Sequence, residues 1–285
     1  MSQLLKYVAT YSFALISCTS TGSPIDKSMN DFDGDGKIDK IEIREEKFDQ
    51  DGQLESKQVS INLSSQKEAL NGTFKTETGS ITAYQGTNPD EIIIDFSNRS
   101  SRDAAELSYL VYRWSKQQQK FCLKASVDGI PANQLQDEIT PRQMEVTWYS
   151  QCVSLGNDPS EHALGPRESS SLALNELSSI EKNTPIPEYL ASELGNIVNI
   201  SNVTQINDAG YFQEQQDFLI PALIILESVH SRFPKRSVAT LNLADTHWKL
   251  GNKSKACALY REYLGGIGDK KKAPRRAYQR AKCSA

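Results

Sequence analysis

FPKRSVATLNLADTHWKLGNKSKACALYREYL, residues 233–264, decides the fold of the C-terminal half. Ala256, Tyr260 and Leu264 recur at a spacing of four, which puts them on one face of a helix that has to be buried. Gly251 stands between this helix and the one before it and supplies the turn, and Ala256 is small where two helices cross closely. An earlier stretch repeats the pattern 34 residues upstream. Ala222 aligns with Ala256, Leu226 with Tyr260, Val229 with Tyr263, and Ala209-Gly210 with Leu243-Ala244. Self-similarity at a fixed period marks stacked helical units. In the earlier unit Asp217 stands where the later one has glycine, and Pro221 sits early in the second helix, where proline is tolerated only near the start. Pro234 ends that unit, residues 186–200 supply a further helix, and Pro274–Cys283 forms a basic last one with Ala277, Tyr278 and Ala281 turned inward.

The period, the turn glycine and the small crossing residue together resemble tetratricopeptide repeats over roughly residues 200–283. The resemblance implies a scaffold whose first helices line a concave groove for a protein or peptide ligand. Carried over position by position, the groove residues are Asn207, Tyr211, Glu214, Leu241, Asn242, Asp245, Trp248 and Lys249. Each also reads as an ordinary packing or solvent-facing residue. Trp248 is the foremost binding candidate because aromatic residues are enriched at binding hot spots. Within this hairpin geometry Cys283 lies within one helical turn of Cys257, so a disulfide tying the last helix to the last repeat is expected. Such an array needs its ends covered because each unit touches only its neighbours.

The N-terminal half has a different period. Asp31, Asp33, Asp35, Lys37 and Asp39 alternate around Gly34 and Gly36, so that carboxylates and the Lys37 carbonyl can converge on a hard cation. Glu42 completes an EF-hand spacing, but the residues before the loop make a poor helix and those after it alternate as strands. If Ile41 and Ile43 face the core, Glu42 points away from the ion. The loop resembles the DxDGDGxxD calcium hairpins of integrin-type (VCBS/FG-GAP) repeats over about residues 29–45, which implies a structural calcium ion; a solvated acidic turn is the alternative. Strand-like segments follow at Thr73–Tyr84 around Gly79, Glu91–Phe96, Glu106–Trp114, Lys120–Val127 and Glu145–Val153, with turns at Asp49–Gly52, Ser115–Gln119 and Asp128-Gly129. The expected fold is therefore α+β in two domains. A mainly antiparallel β domain (30–155) is followed by a polar linker (156–185), which holds a short helix at Leu172–Ile180. An all-α domain (186–285) completes the chain.

MSQLLKYVATYSFALISC, residues 1–18, resembles a bacterial lipoprotein signal: one basic residue, a short apolar region, and Leu15-Ile16-Ser17 before Cys18. It implies removal of 1–17, acylation of Cys18, a tether over 18–29, and a place on the membrane of a bacterial cell envelope, facing the periplasm or the surface. An ordinary secretory signal or an N-terminal strand remains open. With Cys18 lipidated, four of the five cysteines remain, Cys122 with Cys152 and Cys257 with Cys283, one pair in each half. An oxidising compartment permits both bridges; four unpaired thiols are the alternative. The net charge of −4 hides an asymmetry, because residues 201–285 hold 14 Lys/Arg against 7 Asp/Glu, or +7, leaving −11 for the rest. A basic half would suit nucleic acid, but an export signal argues against that partner. The sequence has no HExxH, CxxC, phosphate-cradling glycine loop or nucleophile elbow. The expectation is a binding scaffold, with an inhibitor or immunity-type protein, or a hydrolase with its site in the β domain, as alternatives.

Overall fold

Strand periodicity governs the chain from Lys40 to Trp148, and helical periodicity governs it from Pro166 onward. The computed structural model describes residues 30–48, 54–75, 81–96, 108–129, 144–159, 162–180 and 183–282. The signal segment, the tether with Cys18, the turns at Asp49–Gly52 and Gly79, and Cys283 lie outside the described residues. The architecture is α+β, with antiparallel sheets N-terminal and helices C-terminal.

One sheet holds β1 (Lys40–Phe48), β2 (Leu54–Asn62) and β3 (Leu70–Lys75) in that order. The other holds β4 (Thr82–Gln85), β5 (Glu91–Asp95), β6 (Ser108–Ser115), β7 (Lys120–Gly129) and β8 (Met144–Trp148), again in chain order. The segment read as strands around Gly79 thus divides between two sheets, β3 in one and β4 in the other. Asp128-Gly129 closes β7 and is paired there with β8, not free to turn.

The five-stranded sheet is buried on both faces. Ile92, Ile94, Tyr112, Trp114, Phe121 and Leu123 pack against Val59, Ile61 and Phe74 of the smaller sheet, with Phe32 of the acidic loop among them. Ile93, Val111, Ala125, Val127, Met144 and Trp148 face the helices. Along β7 the two sets share odd numbers, which regular alternation forbids. The register shift between Val111 and Tyr112, opposite Leu123–Ala125, inserts Lys124 as an extra residue and turns the strand over. Cys122 and Cys152, 30 residues apart, form the disulfide expected of them.

The helices are α1 (Pro166–Ser179), α2 (Glu188–Ile197), α3 (Val203–Gln215), α4 (Leu219–Arg232), α5 (Ser237–Lys249), α6 (Lys253–Gly266) and α7 (Arg275–Arg280), with a 3-10 turn at Lys270–Lys272. Thus α1 occupies much of the stretch that reads as a linker. Helices α3/α4 and α5/α6 are two hairpins whose members start 34 residues apart, Val203 against Ser237 and Leu219 against Lys253. Asp217 and Gly251 occupy the same place in the two turns, and both have left-handed backbones (φ 61° and 86°). Ala222, Leu226, Leu243, Ala244, Ala256, Tyr260 and Tyr263 form the core between the hairpins and beneath α7. Only Ala277 of α7 is fully buried there. Tyr278, expected to face inward, is 39% exposed and donates its hydroxyl to the Lys270 carbonyl at 2.7 Å. A helix of this length presents one buried position, and alanine takes it.

Candidate metal loop and binding faces

Residues 30–39 form a loop held by its own carboxylates. Gly34 and Gly36 adopt φ of 74° and 83°, which L side chains rarely allow, and the backbone amides they free point inward. Asp35 N–H donates to Asp31 (3.0 Å) and to Asp33 (3.1 Å), and Gly36 N–H to Asp31 (2.9 Å). Buried Asp39 accepts from Phe32 N–H and from Ser64 N–H, each at 2.8 Å, so it ties the loop to the turn after β2. Ser65 Oγ donates to Asp33 and Ser64 Oγ to Asp35 (2.5 Å), adding two further ties. One oxygen each from Asp31, Asp33 and Asp39 lies within 4.8 Å of the others, an all-oxygen donor set that suits a hard cation.

Asp35 turns from this trio toward Ser64, and the Ser64 hydroxyl holds its pKa below the ordinary aspartate value, helped by Lys37. The Lys37 amide donates to Asp35 at 2.8 Å. Burial raises the pKa of Asp39, and the charges of Asp33 and Asp35 push the same way. Glu42 sits on β1 between Lys40 (2.7 Å) and Arg44 (2.8 Å), on the strand face away from partly buried Ile41.

The eight groove positions fall into three groups, four buried, three partly exposed and one, Lys249, exposed. Asn207, Glu214, Asn242 and Asp245 are buried. Glu214 pairs with Lys249 at 2.9 Å, and Lys249 also reaches Asp217 (2.8 Å) and the Glu214 carbonyl (2.6 Å), so α3 and α5 are bound together at their C-terminal ends. The two carboxylates raise the Lys249 pKa against an opposing effect of burial. Asp245 accepts from Arg276 Nη2 and Arg280 Nη1, each at 2.8 Å, and from Tyr260 Oη at 2.5 Å. Burial and Asp245 together raise the Tyr260 pKa. Tyr211, Leu241 and Trp248 are partly exposed. Trp248 packs on Tyr260 and has Lys253 Nζ 3.9 Å and the Arg280 guanidinium 4.8 Å from its ring centre. Cys257 is disulfide-bonded, and its sulfur lies 2.9 Å from the Arg280 carbonyl oxygen; its expected partner Cys283 is outside the described residues.

A polar cluster that sequence reasoning missed lies where the five-stranded sheet meets α1 and α2. Arg113 of β6 reaches Glu91 of β5 at 2.6 Å and Glu176 of α1 at 2.9 Å. Lys124, the bulge residue, adds a contact to Glu176 at 3.2 Å, and Tyr189 of α2 donates to Glu91 at 3.2 Å. Burial disfavours charge on Arg113, but Glu91 and Glu176 raise its pKa overall; burial likewise opposes charge on Glu176, whose pKa Arg113 and Lys124 bring below the ordinary glutamate value. The available signal was Glu91 and Arg113 on facing strands, each beside apolar neighbours. These groups pair with one another across the interface, so the cluster fastens helices to sheet. Among the described residues no helix is long and apolar enough to cross a membrane. Comparison with protein families, with curated proteins and with solved structures finds no match for the chain.

Proposed function

We propose that the chain is an exported, lipid-anchored protein of a bacterial cell envelope that binds another protein through a short tetratricopeptide-like array. The observation that carries this reading is the repetition of the two hairpins at 34 residues, down to the left-handed residue in each turn. Repeat units of this kind present side chains of their first helices along a shared inner face. Tyr211, Leu241, Trp248 and Lys249 are the groove positions with surface to offer, while Asn207, Glu214, Asn242 and Asp245 shape that face from within. The last unit is stapled to α7 through Cys257 and Cys283. Calcium binds at Asp31, Asp33 and Asp39 and fixes the loop to the smaller sheet, with no part in catalysis. Cys18 carries the lipid.

Capture from envelope extract with the wild type and with Tyr211→Ala tests the binding face. Loss of one stoichiometric partner supports it, and identical partner sets would remove it. A partner whose enzymatic activity falls on binding would make the chain an inhibitor or immunity-type protein. Calcium is expected to raise the melting temperature, and Asp31→Asn/Asp33→Asn to abolish that rise. A Cys18→Ser chain is expected to take up no labelled fatty acid.

A further inference from the structure

The connections from α2 to α3 and from α4 to α5 lie side by side, at the end of the array opposite Asp217 and Gly251. Arg232 Nη1 donates to the Val198 carbonyl (3.3 Å), and Arg236 Nη2 donates to Thr204 Oγ1 (3.1 Å). Between the connections is a cleft of about 430 Å³ lined by Ile200, Val203, Arg232, Phe233, Lys235 and Arg236. The lining contains three cations and no carboxylate. Elsewhere in the helical half Lys249, Lys255, Arg276 and Arg280 each meet a carboxylate within 3 Å. The Nε of Arg236 is buried and has no hydrogen-bond partner. Helices α3 and α5 both begin here, and neither has a side-chain cap or an acid in its first turn, so their positive ends add to the cations. At the mouth Ile200 is 83% exposed, the most exposed large hydrophobic residue among those described.

We infer that this cleft docks an acidic segment of a partner protein that places an apolar side chain on Ile200 and Phe233 while its carboxylates meet Arg232, Lys235 and Arg236. Charge complementarity selects the acid, and the apolar floor selects the neighbouring side chain. A recess between two connections admits a side chain, whereas a bilayer presents a plane. The surface is separate from the inner helix face and does not depend on it.

Fluorescence anisotropy of the full chain with a short labelled peptide of Glu, Asp and Leu is the test. The same peptide with Lys for each acid, and phosphatidylglycerol vesicles, serve as comparisons. The acidic peptide is expected to bind and the basic one not. Lys235→Glu/Arg236→Glu should weaken binding about tenfold or more, and Ile200→Ser about fivefold. Lys235→Glu alone, at an exposed side chain, gives the same direction without touching the Arg236–Thr204 bond. Lys270→Glu/Lys271→Glu, on the basic turn before α7, and Tyr211→Ala should leave peptide affinity unchanged. Absence of acidic-peptide binding, equal affinity in the Lys235 and Ile200 variants, or binding of vesicles in place of peptide would overturn the inference. Unchanged peptide binding by a Tyr211→Ala chain that has lost its envelope partner would separate this surface from the inner face.

Discussion

The two ends of the helical array are fastened by ion clusters of opposite build. At the sheet, Arg113 stands between two acids, with Lys124 also on Glu176, and Glu91 has no exposed surface while the Glu176 side chain has 9%. At the far end one acid, Asp245, stands between two arginines whose side chains are 44% and 28% exposed. Both clusters are densely hydrogen-bonded, although the buried Nε of Arg113 has no hydrogen-bond partner. They differ in what remains when the central residue is removed. Without Arg113, Glu91 is left in a dry interface without that cation and Glu176 with Lys124 alone, whereas without Asp245, two guanidinium groups can turn to water. The burial of the survivors, more than the number of bonds broken, sets the cost.

Arg113→Ala should therefore be the most damaging substitution, destabilising by about 3–5 kcal/mol as an uncompensated buried charge does. Asp245→Ala should cost about 1–2 kcal/mol, the scale of hydrogen bonds lost where the partners regain solvent. It should also change Trp248 fluorescence, because the Arg280 guanidinium stands over that ring. Urea unfolding of both variants checks the order, and a larger loss for Asp245→Ala would break the comparison. Acid should weaken the cluster at the sheet. The folded pKa of Glu176 lies below its ordinary value near 4.5. Its contribution is therefore complete above that value and is lost as pH falls through the folded pKa. Glu176→Gln should be less stable than wild type at neutral pH and lose less on acidification, as melting temperatures across the acid range would show.

The same contrast explains what the sequence made legible. The hairpins repeat a local signal, and Gly251, Ala222 and Ala256 take the roles their spacing predicts. Strands β5 to β8 were visible as apolar runs between turns. The division of β3 from β4 into two sheets was not, since both read as strands whichever sheet they join. Helix α1 was legible only in its second half, as the expected helix at Leu172–Ile180, because its buried face is Ser169, Ala173 and Glu176. A glutamate buried by pairing with Arg113, 63 residues earlier, carries no periodic hydrophobic mark. The partners of Asp245 lie 31 and 35 residues downstream, so a groove position read by homology of repeats turned out to be occupied from within. The acidic loop was legible because its aspartates lie close together in the sequence. Its attachment through Ser64 and Ser65 was not, because those serines arrive from another hairpin.

The smallest effects belong to the two turns, and they isolate backbone strain from packing. A Cβ at Gly251 would meet nothing within 4 Å, so Gly251→Ala changes only the cost of a left-handed conformation. That cost is about 1 kcal/mol. Asp217 holds the same conformation with a side chain that tolerates it better than alanine does, and it adds an ion pair to Lys249. Asp217→Gly relieves residual strain but loses that pair, which is worth little at a largely exposed carboxylate, and it loosens the unfolded chain. The net change should fall within about 0.5 kcal/mol of zero. Gly251→Asp should lie between wild type and Gly251→Ala, because aspartate enters the left-handed region more readily. Equilibrium unfolding that ranks Gly251→Ala equal to wild type would show that the second turn is free to adopt another conformation, and the equivalence of the two turns would fail.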